Sequence, residues 1–74
     1  MNIKMEILNL VSQNDVNLIR KGFEKKEGIL GLEIILEDQV VNVMYDDFYI
    51  TQYVVIDIME ELGYTITNIS GKMK

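Results

Sequence analysis

The spacing of apolar residues switches back and forth between two and three-to-four along this chain, and the order of those switches admits few folds. Ile3, Met5 and Ile7 alternate with Lys4 and Glu6, the period of a half-buried strand from about Ile3 to Leu8. Ser12 to Asp15 then has the form of a capping box, in which the Ser hydroxyl accepts from a backbone N–H three residues on and the carboxylate reaches back. A first helix follows, with Val16, Ile19 and Phe23 on one side and Arg20, Lys21, Glu24 and Lys25 on the other, stopping at Gly28. Lys26 falls on its apolar side and is expected to snorkel.

After Gly31, Leu32, Ile34 and Leu36 alternate with Glu33, Ile35 and Glu37. Beyond a turn at Asp38 and Gln39, Val41, Val43 and Tyr45 alternate with Asn42 and Met44, which completes a hairpin. A second helix starts near Thr51 as N-cap, carries Val55, Ile58, Met59 and Leu62 in one stripe, and ends at Gly63. Tyr64 to Ile69 supplies a last strand before a polar tail, Ser70 to Lys74. The order is βαββαβ in a single domain over residues 3–69. Two helices cover only one face of a four-stranded sheet, so the reading is α+β: a ferredoxin-like two-layer sandwich with an antiparallel sheet ordered 4-1-3-2.

Composition removes most chemistries from such a fold. The 74 residues contain no Cys and no His, which excludes disulfides, thiolate or imidazole metal sites and histidine bases. No Ser–His pair exists, and no acids are placed by a pocket-forming motif, so no catalytic role is expected. A net charge of −5 argues against nucleic acid and anionic membrane, both of which need clustered Lys and Arg. The first ten residues have an acid within their apolar stretch and no cleavage site, and no apolar run approaches the ~20 residues of a spanning helix. A cytoplasmic location without membrane insertion is the resulting expectation.

The motifs, taken together, resemble the heavy-metal-associated domain family of copper chaperones and metal-pumping ATPases. Gly28-Ile29 resembles that family's Gly-Val at the end of the first helix. Leu32-Glu33-Ile34 resembles its second strand, Val41 to Asp46 its Val-x-Val-x-Tyr-Asp strand, and Glu60 to Tyr64 its closing Glu-x-x-Gly-Tyr. Members carry a Gly-Met-Thr-Cys-x-x-Cys loop before the first helix. The resemblance places Ser12 and Asp15 at the two cysteine positions, Leu10 at the buried Met and Asn9 at the Gly. Two soft thiolates suit copper(I), whereas a hydroxyl and one carboxylate are hard ligands, so the resemblance implies a fold kept without its metal loop.

On this reading no cofactor and no metal are expected. Ser12 and Asp15 serve as a helix cap, and the Asp46-Asp47 pair is a solvated turn. The resemblance implies a protein partner, with metal-transport machinery as the candidate, that meets the acidic surface. On the helix-free sheet face Leu8, Ile35 and Met44 offer one apolar patch for a partner or for homodimerisation, with Tyr64 packing at the start of strand four or facing a partner. Phe48 and Tyr49, in the loop before the second helix, are read as a local lid on the core, with exposed contacts as the alternative. Two other readings remain: metal transport through a non-cysteine site, and an ACT-like small-ligand sensor, which has the same element order but whose Pro-Gly signature is missing after strand one.

Overall fold

Strand β1 (Asn2–Ile7) alternates exposed and buried residues without a break, and Ile3, Met5 and Ile7 are almost completely shielded from solvent. That one-sided burial requires a layer over a single face of the sheet. The computed structural model describes residues 1–72. The remaining elements are α1 (Gln13–Glu24), β2 (Ile29–Ile35), β3 (Val40–Tyr45), α2 (Gln52–Glu61) and β4 (Ile66–Lys72). The sheet order is β2-β3-β1-β4, antiparallel throughout, and it matches the order expected from the sequence. Inner-face residues of β1 and β3 meet Val16, Ile19 and Phe23 of α1 and Val55 and Met59 of α2 in one core, with Leu10, Ile50 and Tyr64 added from connecting segments. Among the described residues no helix is long and apolar enough to cross a membrane.

Helix α1 ends at Glu24, earlier than its apolar spacing suggests. The Lys26 N–H turns back to the Phe23 carbonyl at 3.2 Å, and the Lys26 side chain is exposed beyond the helix end, not on the helix face where it was expected to snorkel. Gly28 instead turns the chain into β2 with φ at +97°, a region that side chains with a Cβ rarely occupy. Helix α2 closes differently. The Gly63 N–H donates to the Glu60 carbonyl at 3.0 Å and the Tyr64 N–H to the Met59 carbonyl at 3.1 Å, the paired bonds of a Schellman motif with Gly63 at φ +94°.

Strand β4 starts at Ile66 and reaches Lys72, so Ser70 pairs with Lys4 inside the sheet where a polar tail was expected. Backbone groups of β1 accept a partner strand whatever its side-chain polarity. Positions 73 and 74 of that tail lie outside the described residues. Thr67 is an extra residue opposite the Glu6–Ile7 step, and this bulge sets Ile66 opposite Ile7 and Ile69 opposite Met5, so both isoleucines share the helix side. Leu30 plays the same part on β2, between the Ile29–Tyr45 and Gly31–Met44 pairs.

The two left-handed glycines differ in their surroundings, and substitution distinguishes them. A Cβ on Gly28 would approach side-chain atoms of Ile50 and Tyr49 at 3.2 Å, whereas one on Gly63 meets nothing within 4 Å. Gly63→Ala should cost about 1–2 kcal/mol from backbone conformation alone. Gly28→Ala should cost more, with both measured by urea unfolding; equal losses would mean that the contacts around Gly28 relax freely.

Candidate functional site

The loop between β1 and α1 is built around one carboxylate. Leu10 is fully buried and pins the loop to the core, while Leu8, Val11 and Ser12 stay exposed. Asp15, at the third position of α1, accepts at Oδ2 from the backbone N–H groups of Val11 and Ser12, both at 3.0 Å, and from the Ser12 hydroxyl at 3.2 Å. Its Oδ1 accepts from the Tyr64 hydroxyl at 2.7 Å, a short charge-assisted bond spanning 49 residues of sequence. The Ser12 Oγ in turn accepts from the Asp15 N–H at 3.3 Å, which completes the capping box expected at these positions.

Two further side chains fasten the loop to its neighbours. Asn9 donates from Nδ2 to the Gly63 carbonyl at 3.0 Å and accepts at Oδ1 from the Thr65 N–H at 2.9 Å, so its amide stands in for a strand residue beside the α2–β4 link. Gln39, in the β2–β3 turn with φ at 56°, donates from Nε2 to the carbonyls of Leu8 at 2.9 Å and Leu10 at 3.1 Å. Neither role is visible in local sequence, because each partner lies far along the chain. The only signal at position 39 is a turn residue able to enter positive φ.

The other expected surface residues are dispersed. Met44 lies opposite Asn2 and Gly31 at one end of the open sheet face, and Ile35 lies opposite Val40 at the other. Between them stand Lys4 and an Asn42–Glu33 hydrogen bond of 3.3 Å. Leu8 occupies the turn beyond β1. The β2–β3–β1 register thus sets polar pairs between Ile35 and Met44 on this face. Tyr64 is only 6% exposed and its hydroxyl is engaged by Asp15, so it is a structural strut and not a partner-facing residue. Phe48 and Tyr49 are 91% and 67% exposed, contrary to the expectation of a lid, because Ile50 takes the core slot. Asp46 Oδ1 accepts the Phe48 N–H at 3.0 Å, so this acid organises its turn. Among the described residues no three acids converge as a metal site.

The network has an electrostatic signature. The Val11 N–H, then the Tyr64 hydroxyl and the Ser12 donors, hold the Asp15 carboxyl below its ordinary value of 3.8. Burial, reinforced by the neighbouring Asp15 charge, pushes the Tyr64 phenol up to about 12. A depressed carboxylate stabilises the fold above its unfolded pKa, and that contribution fades as pH falls through the folded value. A raised phenol stabilises below its unfolded value of 10.0, and the contribution fades as pH climbs toward about 12. In unfolding measured across pH, Asp15→Asn should flatten the acid limb and Tyr64→Phe the alkaline limb. Unchanged limbs in both variants would show that the network does not report on folding.

No protein-family model and no curated protein matches the sequence. Solved structures do match. The chain resembles the CopZ metallochaperone with a TM-score of 0.84 and 18% identity, over 90% of this chain and 100% of that one. It resembles a copper-binding domain from HMA7, a P-type ATPase, with a TM-score of 0.81 and 12% identity, over 95% and 97% of the two chains. The copper(I)-loaded first domain of the human copper chaperone for SOD1 aligns with a TM-score of 0.75 and 21% identity, over 93% and 94%. The chain therefore has the ferredoxin-like fold of heavy-metal-associated domains, built without a single cysteine with which to hold a soft metal.

Proposed function

We propose that this chain is a non-catalytic protein-interaction module of metal homeostasis, acting in the cytoplasm, that keeps a heavy-metal-associated fold without carrying metal. The commitment of the Asp15 carboxylate supports this reading. Its oxygens already accept from Val11, Ser12 and Tyr64, and the only other side chain at the family's ligand positions is the Ser12 hydroxyl. Binding a cation there would remove a helix cap worth about 1 kcal/mol and would break the strut to Tyr64. Copper(I) gains little from hard oxygen donors in exchange.

What the loop offers instead is a surface. Leu8 and Val11 are exposed on either side of the buried Leu10, on a backbone held by Asn9 and Gln39. A protein partner within metal-transport machinery would meet this preorganised edge together with an acidic exterior of net charge −5, and complementary charge would raise the association rate.

Titrating isotope-labelled protein with silver(I), a soft mimic of copper(I), and separately with zinc tests the reading. No site-specific shifts are expected at residues 8–15 or at Tyr64 in either titration. Micromolar binding with shifts confined to Ser12 and Asp15 would overturn it in favour of a non-cysteine metal site. The combined Ser12→Cys and Asp15→Cys variant, which restores two thiolates, is expected to bind silver(I) where the parent does not. Its failure to do so would show that the loop no longer holds a thiolate-pair geometry.

A further inference from the structure

Helix α1 and the edge strand β2 leave a groove between them. Gly28 turns the chain back alongside the helix it has just left, and no further strand lies outside β2. Asn17, Arg20, Lys21 and Glu24 line the groove, and their spacing of three and four residues puts them on one flank of α1. The volume is about 750 Å³, within the roughly 300–1,000 Å³ of small-molecule sites. Phe23, Ile29, Leu30 and Leu32 form its apolar part. Phe23 is buried, Ile29 and Leu32 are half-buried, and Leu30, the extra residue of the β2 bulge, is 67% exposed.

The polar wall is rich in donors and poor in acceptors. Arg20 and Lys21 are exposed, and among the described residues neither makes an ion pair or a side-chain hydrogen bond. Asn17 Oδ1 accepts from Gln13 Nε2 at 3.4 Å, which leaves the Asn17 Nδ2 group as a further donor. Glu24, the last residue of α1, is the one carboxylate on the groove. The chain as a whole is acidic, yet four of its seven bases, Arg20, Lys21, Lys25 and Lys26, fall within this short stretch with only Glu24 among them. The local field therefore attracts an anion where the net charge would repel one.

We propose that this groove binds a small monocarboxylate with an apolar body. The carboxylate meets Arg20, Lys21 and the Asn17 amide, which are donors without an internal acceptor for their charge. The hydrocarbon covers Ile29, Leu30 and Leu32 of β2 and the edge of Phe23. Glu24 limits the charge admitted, because a second anionic group along the groove would face its carboxylate. The site uses none of the Ser12–Asp15–Tyr64 hydrogen bonds, and it adds a ligand to the interaction-module reading without depending on it.

The test titrates isotope-labelled protein with phenylbutyrate, with the uncharged phenylbutyramide and with acetate. Saturable shifts confined to residues 17–24 and 29–32 are expected with phenylbutyrate alone. The Arg20→Gln/Lys21→Gln double variant alters only exposed positions, and it should bind phenylbutyrate about ten-fold more weakly. Equal binding of the amide, or unchanged affinity in the double variant, would take the carboxylate out of the recognition and overturn the proposal. Shifts of equal size at Lys4, Lys25 and Lys26, or equal binding of acetate, would reduce the effect to diffuse charge with the same result, and so would the absence of any saturable shift. A short peptide ending in a free phenylalanine carboxylate that fills the groove where phenylbutyrate does not would reassign it to a protein C-terminus and overturn the small-molecule reading. A silver site at Ser12 and Asp15 would count against the interaction-module reading without moving any of these results.

Discussion

Everything in this small domain follows from covering a four-stranded sheet on one side only. Central strands β1 and β3 send Ile3, Met5, Ile7, Val41, Val43 and Tyr45 into one core beneath both helices, and their alternate residues face outward. A chain of 74 residues buries only about 60% of its unfolded surface, and this one has no cysteine from which to build a disulfide. The connections must therefore contribute order as well as length. Leu10, Ile50 and Tyr64 are core residues that belong to no helix or strand.

The loop before α1 shows how that demand is met. At Ser12 and Asp15 a hydroxyl and a carboxylate bind each other, the loop backbone and Tyr64. The Schellman turn at Gly63 places Tyr64 directly after α2, and Asn9 ties the loop to the same segment. The loop's donors are thus taken up by internal hydrogen bonding, which caps the helix N-terminus.

Much of this was legible from local pattern. Alternation located the strands, the Ser12–Asp15 spacing announced the cap, and Gly63 marked the end of α2, because each depends on residues a few positions apart. What escaped depends on distant partners. Nothing near Tyr64 in sequence points to Asp15, and nothing near Gln39 points to the carbonyls of Leu8 and Leu10. The polar pairs between Ile35 and Met44 were likewise out of reach, since alternation tells which face a residue takes but not how far along the sheet its neighbours lie. Phe48 and Tyr49 were drawn into the core by hydrophobicity alone, although the turn at Asp46 admits only Ile50.

The two bulges bear on more than local pairing. β2 and β4 are the edges of the sheet, and each carries its extra residue, Leu30 or Thr67, within the strand. A flat edge is a template on which another chain can continue the hydrogen-bonded ladder, and a bulge twists that template out of line. Both open borders are thus interrupted, which disfavours end-on growth of one molecule onto the next. A sheet whose inner face is fully apolar thus presents no straight border along which a neighbouring strand could extend it.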